Sequence, residues 1–239
     1  SPGCNGSSSS LIRMPLALNP AGRFANVPAS ISCLKIDVDA LDKLHPNGWS
    51  HSENSVKVLD KIENLNLSYE TLDGIHKHPW KYEEEPITQE GMICRFADRI
   101  AYLTHDVEDA IRAGVLKEND IPNSIVNELG PPGKTWINSL ISGIFKASSS
   151  GEVQMDSAVS AHMQELRDFM FENVYLRKGT ETKRVEYQEI VVSLVEHFTK
   201  KTNELPEAYI QAQSDLENAI DYVAGMTDRF ALSSYEKII

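Results

Sequence analysis

The sequence predicts an all-α protein, and two observations carry that prediction. From Asp39 onward, apolar residues recur at the three- and four-residue spacing of amphipathic helices, and the alternating pattern of a half-buried strand is nearly absent. Residues that favour helix starts and stops recur along the same part of the chain. With 239 residues, 41% of them hydrophobic and 24% charged, the chain is long enough to bury a core.

The first 38 residues differ from the rest. They contain the linker-like stretch GCNGSSSS, followed by prolines at positions 15, 20 and 28 with no sustained hydrophobic period. Such composition is typical of irregular chain. We therefore expect an irregular leader over residues 1–38, with at most a short strand or turn near Ile31–Ile36, and a helical domain over residues 39–239.

Helix boundaries can be assigned in chain order from capping residues. The candidate N-caps are Ser52, Ser68, Thr88 and Ser214, the last with Glu217 at capping-box spacing. The helix after Ser68 should bury Leu72 and Ile75, and the long helix after Thr88 should reach Ala113 and end at Gly114. Pro79–Pro86 is a loop. The remaining helices are expected before Gly130 and at Thr135–Lys146, Asp156–Val174, Thr182–Thr199, Pro206–Gln213 and from Ser214 to about Ile238.

Charge and cysteine content exclude several classes of protein. The formal net charge of −12 argues against a general binder of nucleic-acid backbones, and an anionic small substrate would need a local metal ion or basic pocket. Cys4, Cys33 and Cys94 are far apart and form no CxxC pair, which is typical of a reducing compartment. No apolar run approaches the roughly 20 residues of a membrane-spanning helix. We expect a cytoplasmic protein that does not contact the membrane.

The long helix carries the most informative group of polar residues. On a helical wheel its apolar stripe is Phe96, Ile100, Leu103, Val107 and Ile111, and the polar residues on roughly the opposite side are Asp98, Tyr102, His105, Asp106 and Asp109. Two carboxylates and a phenol on one face could hold a metal ion, a ribose hydroxyl or a cation bound to phosphate. The alternative is a solvated face whose acids pair with Arg95 and Arg99.

Other candidate motifs are weaker. Adjacent residues on a helix point about 100° apart, so His105 and Asp106 need not meet one ion. His76 and His78 could bind a metal, although histidines at the end of a helix more often act as caps. The Gly133-Lys134-Thr135 stretch lacks the earlier glycine and the strand of a phosphate-binding loop.

The segment ADRIAYLTHDVEDAIRAGVL, residues 97–116, resembles the bacterial dGTP triphosphohydrolases of the HD superfamily. The resemblance extends in order through ALDKLHPNGWSHSENSVKVLDKIE (40–63), NLSYETLDGIHKH (66–78), RDFMFENVY (167–175) and DYVAGMTDRFAL (221–232). It implies part of an HD-superfamily helical domain. It also implies a homo-oligomer that hydrolyses a dNTP, with dGTP favoured, to deoxynucleoside and triphosphate with a divalent metal such as Mg²⁺ or Mn²⁺.

The resemblance also implies roles for individual residues. Asp98 matches an aspartate of the family's metal site, and His51 matches a histidine that faces the substrate phosphates and has a catalytic role. Tyr102 and Asp106 match residues that contact the deoxyribose, the carboxylate accepting from its 3′-hydroxyl. His78 matches a recurrent family histidine to which we assign no role.

The chain departs from the family in its metal ligands. The family's earlier histidine and histidine–aspartate pair lie in a block resembling HDLGHxPFGHxGE, and residues 1–38 contain no histidine. We therefore expect a shortened member in which the leader replaces the metal-binding half. Three interpretations stay open: a dNTP triphosphohydrolase, a non-catalytic helical module for nucleotide binding or oligomerisation, and an all-α scaffold with a solvated acidic helix.

Overall fold

The computed structural model describes residues 38–175, 181–210 and 214–239, and this part of the chain contains α-helices and no β-strand. The prediction of an all-α protein is confirmed. The helices are α1 (Val38–Leu44), α2 (His51–Lys57), α3 (Tyr69–Lys77), α4 (Gln89–Arg112), α5 (Asn123–Leu129), α6 (Lys134–Ala147), α7 (Ser157–Met170), α8 (Glu181–Lys200), α9 (Asp215–Ala224) and α10 (Asp228–Ile238). One π-helical turn, Val58–Ile62, continues α2, and another, Phe171–Tyr175, continues α7.

Helices α2 and α3 each begin after a serine, and the serine before α2 is not the predicted one. Helix α2 begins after Ser50, whose backbone is extended, and Ser52 is instead fully buried in the first turn. Ser68 caps α3 as predicted, accepting a hydrogen bond from the backbone N–H of Thr71. The buried residues of α3 are Asp73 and Gly74, whereas Leu72 and Ile75 are only half-buried.

Helix α4 has the predicted boundaries. The Thr88 hydroxyl accepts the N–H of Gly91 at 3.1 Å, and the helix ends before Gly114, which adopts a φ of +69°. Gly91 is required at the crossing with α3. A Cβ there would lie 2.6 Å from Cβ of Pro86, so the loop before α4 can pack only against a glycine.

The helices pack around two hydrophobic clusters. One lies among α4, α5, α6 and α7, with Trp136 fully buried within it and its indole N–H donating to the carbonyl of Gly130 at 2.6 Å. The other lies among α1, α8, α9 and α10 and includes Trp49 from the loop before α2. A salt bridge of 2.5 Å between Lys57 and the buried Asp221 connects α2 to α9.

The C-terminal region is more broken than predicted. The Ser214–Glu217 capping box is present, but the helix it starts ends at Ala224, and α10 begins again after Thr227, whose hydroxyl accepts the N–H of Phe230. The expected helix over Pro206–Gln213 is only a 3₁₀ turn, Glu207–Tyr209, within the described residues.

No helix in the described segments is long and apolar enough to cross a bilayer. The expected leader, with its strand or turn near Ile31–Ile36, lies outside the described residues.

Candidate functional site

The apolar stripe of α4 orients the polar face of the helix. Four residues of the predicted stripe are buried, and the fifth, Ile111, is half-buried: the buried four are Phe96, Ile100, Leu103 and Val107. This packing leaves Asp98, Tyr102 and Asp106 half-buried on neighbouring turns of one helix. The predicted grouping of these three side chains therefore holds at the level of the helix face.

Two of the acidic-face candidates lie outside this group. His105 is exposed, so the adjacent His105 and Asp106 side chains do not form a metal-binding dyad. Asp109 forms a 2.6 Å salt bridge with the exposed guanidinium of Arg112. These residues belong to the solvated surface of α4.

A phenol and a carboxylate from different elements meet beside Tyr102. The hydroxyl of Tyr175, at the end of the π-helical turn after α7, donates a hydrogen bond to Oδ2 of Asp106. The Tyr102 and Tyr175 ring centres are 6.0 Å apart. Burial raises the pKa of both phenols, and the Asp106 carboxylate raises that of Tyr175 further. Both tyrosines therefore remain hydrogen-bond donors at neutral pH.

Two arginines lie against one indole next to this group. The guanidinium carbon of Arg99 is 4.3 Å from the ring centre of Trp80, and that of Arg167 is 5.3 Å from it. Burial lowers the pKa of Arg99 to about 10, and the nearby cations Arg95 and Arg167 act in the same direction while Asp98 opposes them. Arg99 is still fully charged at neutral pH. An acidic protein thus holds a local basic patch beside the Tyr175–Asp106 pair.

A third arginine holds the loop that carries Trp80. The buried guanidinium of Arg95 donates to the backbone carbonyls of Lys77, Tyr82 and Glu84 at 3.3, 2.6 and 2.5 Å. The expected pairing of Arg95 with acids of its own helix is wrong, because its side chain points into the α3–α4 loop. Arg95 is a structural residue that fixes the position of Trp80.

His51 lies at the first position of α2, across from the end of α3. Its ring centre is 5.4 Å from that of His78, in an edge-to-face arrangement. His78 Nδ1 is 2.6 Å from the carbonyl oxygen of Ile75, so this nitrogen carries a proton and the side chain acts as a cap of α3. His76 lies 3.8 Å from a carboxylate oxygen of Glu53, which also accepts from the Tyr82 hydroxyl at 2.9 Å. The capping interpretation therefore fits His78, whereas His76 faces the Glu53 carboxylate of α2.

The described residues do not fit a metal ion. Within residues 39–175, 185–210 and 214–239, no three histidine, cysteine, aspartate or glutamate side chains converge as a metal site. Asp98 alone is a poor ligand set for Mg²⁺ or a transition metal. These residues by themselves therefore do not form a metal centre.

The sequence of the chain is similar to those of known proteins. Residues 153–237 match the phosphohydrolase-associated domain. Deoxyguanosinetriphosphate triphosphohydrolase-like proteins of Clostridium perfringens (strain SM101), Caldanaerobacter subterraneus and Clostridium tetani are 37%, 35% and 32% identical to the chain over 218, 210 and 217 residues. These alignments cover 85%, 84% and 84% of the chain. Over most of its length the chain is therefore similar in sequence to deoxyguanosinetriphosphate triphosphohydrolase-like proteins.

The dGTPase-like chain spans 64% of the Clostridium perfringens relative, 61% of the Caldanaerobacter protein and 62% of the Clostridium tetani protein. The activity of the full-length relatives can therefore only be proposed for this chain. The structure adds Tyr175, Arg99, Arg167 and Trp80 to the residues that sequence reasoning singled out. The sequence contained a signal for two of these residues. Arg167 and Tyr175 are the first and last residues of RDFMFENVY (167–175), one of the blocks that carry the resemblance.

Proposed function

We propose that this dGTPase-like chain carries the nucleotide-binding face of a dNTP triphosphohydrolase. The observation that supports it is the placement of the Tyr175–Asp106 pair beside two guanidinium groups on α4 and α7. Arg99 and Asp106 are seven residues apart on one helix, which is about 10 Å along the axis. A nucleotide can span that separation, with its sugar at one end and its phosphates at the other.

The sugar end of the proposed site comprises Tyr102, Asp106 and Tyr175. A carboxylate accepts hydrogen bonds, so Asp106 is suited to receive the 3′-hydroxyl while Tyr175 holds the carboxylate in place. The Tyr102 ring would pack against the 2′-carbon, where the extra hydroxyl of a ribonucleotide would lose its hydration. This arrangement favours a deoxyribose.

The phosphate end comprises Arg99 and Arg167. Guanidinium groups present paired N–H donors that match phosphate oxygens, and they retain their charge at neutral pH. In a chain of net charge −12 these two cations supply the attraction for the polyanion. We further propose that His51 faces the phosphates and protonates or stabilises the leaving group.

Discrimination between dGTP and GTP tests this proposal. The wild-type chain should bind dGTP about tenfold to a hundredfold more tightly than GTP, as measured by isothermal titration calorimetry. Tyr102→Ala should reduce that ratio to within about threefold, because the surface that disfavours the 2′-hydroxyl is removed. His105→Ala is the matched control on the exposed side of α4 and should keep the ratio. Equal binding of the two nucleotides by the wild-type chain would contradict the proposal.

The second candidate is a non-catalytic nucleotide-binding or oligomerisation module. It is favoured by the lack of a three-ligand metal cluster among the described residues. Incubation with dGTP and Mn²⁺ or Mg²⁺ separates the two candidates. Deoxyguanosine and triphosphate that form in the wild-type chain but not in Asp98→Ala indicate the hydrolase. Nucleotide-dependent change in mass by sedimentation, without product, indicates the module.

A further inference from the structure

The indole of Trp80 lies close to two cations that come from different helices. Arg99 on α4 and Arg167 on α7 have their guanidinium carbons 4.3 and 5.3 Å from the Trp80 ring centre. Arg167 also lies 5.0 Å from the ring centre of Phe171, one turn further along its own helix. Like charges repel, so the two guanidinium groups need a partner that keeps them together.

The aromatic ring is the clearest partner for both. A cation over an aromatic face is attracted by the negative π surface, and Trp has the strongest such surface of the aromatic residues. Arg99 makes one long hydrogen bond, from Nη2 to the carbonyl of Pro79 at 3.5 Å, and Arg167 lies 3.8 Å from the exposed carboxylate of its neighbour Asp168. Neither contact brings the two arginines toward each other.

Two buried donors next to this ring have no acceptor. Nε of Arg99 and Nε1 of Trp80 are both buried and lack a hydrogen-bond partner among the described residues. Buried N–H groups are almost always paired in folded proteins, because an unpaired donor costs free energy. An anionic ligand bound beside Trp80 and Arg99 would give both donors an acceptor.

We propose that Trp80 is a positioning residue that holds Arg99 and Arg167 side by side for the phosphate chain of the nucleotide. This inference rests on the proposed function, and it assigns a role to the α3–α4 loop. Arg95 anchors that loop through three backbone carbonyls, so the platform formed by Trp80, Arg99 and Arg167 is in place before a ligand binds. The occupant of the platform is a polyphosphate group.

Inorganic tripolyphosphate is the probe that isolates this part of the site. Calorimetric titration of the full chain should show binding that weakens at least about tenfold in Arg99→Gln and in Arg167→Gln, because each loses a charge-assisted contact. Trp80→Leu should weaken binding by about 3- to 30-fold although both arginines remain. Trp80→Phe keeps a π surface and should recover most of that loss.

A spectroscopic measurement separates positioning from general stability. In wild-type protein, tripolyphosphate should shift the ¹⁵N-edited NMR signals of the Arg99 Nε–H and the Trp80 indole N–H together, because both donors gain an acceptor. In Trp80→Phe the Arg99 signal should still shift, and in Trp80→Leu it should shift little. This pattern does not depend on the melting temperature of the variants.

The outcomes distinguish the failure of the inference from failure of the proposed function. Wild-type binding that requires the arginines but is unchanged in Trp80→Leu overturns the role of Trp80 and leaves the proposed phosphate end intact. No binding of tripolyphosphate by the wild-type chain overturns both. If Trp80→Leu and Trp80→Phe weakened tripolyphosphate binding equally, the inference would also be overturned, because the π surface that Phe retains would have contributed nothing.

Discussion

Tyr175 shows how a single hydroxyl connects the stability of the fold to the proposed site. It donates to the half-buried carboxylate of Asp106 across the contact between α4 and the end of α7. Hydrogen bonds to charged groups contribute more than neutral ones, at about 1.5–3 kcal/mol each. The same bond keeps the carboxylate aimed for a sugar hydroxyl, so its loss should be measurable without any ligand.

We expect Tyr175→Phe to lower the free energy of unfolding by about 1–2 kcal/mol, as measured by urea denaturation. Part of the loss is offset because water can reach the half-buried carboxylate. Tyr235→Phe is the control, since the Tyr235 hydroxyl on α10 has no hydrogen-bond partner among the described residues and its ring is also half-buried. Equal effects of the two substitutions would show that the Tyr175–Asp106 bond contributes nothing.

The placement of Asp106 and Tyr102 on one face of α4 could be predicted from the sequence, but the neighbours of Arg99 could not. Helical periodicity places Asp98, Tyr102 and Asp106 on one face, and the structure keeps them there. Helical periodicity places Arg99 near the same face, where one interpretation paired it with an acidic residue of α4. Its actual neighbours, Trp80 and Arg167, come from a loop and from a helix 68 residues later. Contacts of that kind depend on tertiary packing, which spacing within one helix does not encode.

At the scale of elements, the loop between α3 and α4 contacts both α2 and the two arginines of the proposed phosphate end. Asp73 Oδ2 accepts the N–H of Ile87 at 2.8 Å at one end of the loop, and Arg95 binds carbonyls along its length. Within this loop Tyr82 reaches Glu53 on α2, and Trp80 reaches the arginines. The loop is therefore a fixed part of the site although the sequence predicts only irregular chain there.

Arg95→Met tests this function of the loop. The methionine keeps the apolar stem but leaves three backbone carbonyls without their donor, so we expect a loss of about 2–4 kcal/mol in unfolding free energy. The fluorescence of Trp80 should also shift, because its loop is released. Arg112→Met on the same helix is the matched control and should change stability by less than about 0.5 kcal/mol, since its salt bridge with Asp109 is exposed. Similar values for both variants would argue against the anchoring role.

Helix boundaries illustrate where local sequence signals suffice. Thr88, Ser68 and Ser214 could be identified because each is a residue type that N-caps prefer, and in the structure each side-chain oxygen accepts a hydrogen bond from a backbone N–H of the first turn. Ser50 and Ser52 are equally suitable N-cap residues by residue type. Only the extended backbone at Ser50 shows that α2 begins after Ser50. The second start at Thr227 was missed because the apolar pattern of α9 continues into α10 across Gly225.

On the scale of the whole molecule, the chain combines an acidic surface with one basic patch. The net charge of −12 disfavours polyanions in general, whereas Arg95 and Arg99 on α4 lie close to Arg167 on α7 and form a local positive patch with it. A local patch within a repulsive field is suited to a small anion that fits between its donors, and unsuited to an extended nucleic-acid backbone. This distribution of charge fits the nucleotide ligand that we propose.

The central claim is that one face of α4 binds the sugar and phosphate parts of a nucleotide at separate places. The measurement that tests it most directly is calorimetric titration of deoxyguanosine, tripolyphosphate and dGTP into the wild-type chain, Asp106→Asn and Arg99→Gln. Asp106→Asn should weaken deoxyguanosine and dGTP by about tenfold or more and leave tripolyphosphate within about twofold. Arg99→Gln should weaken tripolyphosphate and dGTP and spare deoxyguanosine. If each substitution weakened all three ligands alike, or none of the ligands bound the wild-type chain, the claim would be contradicted.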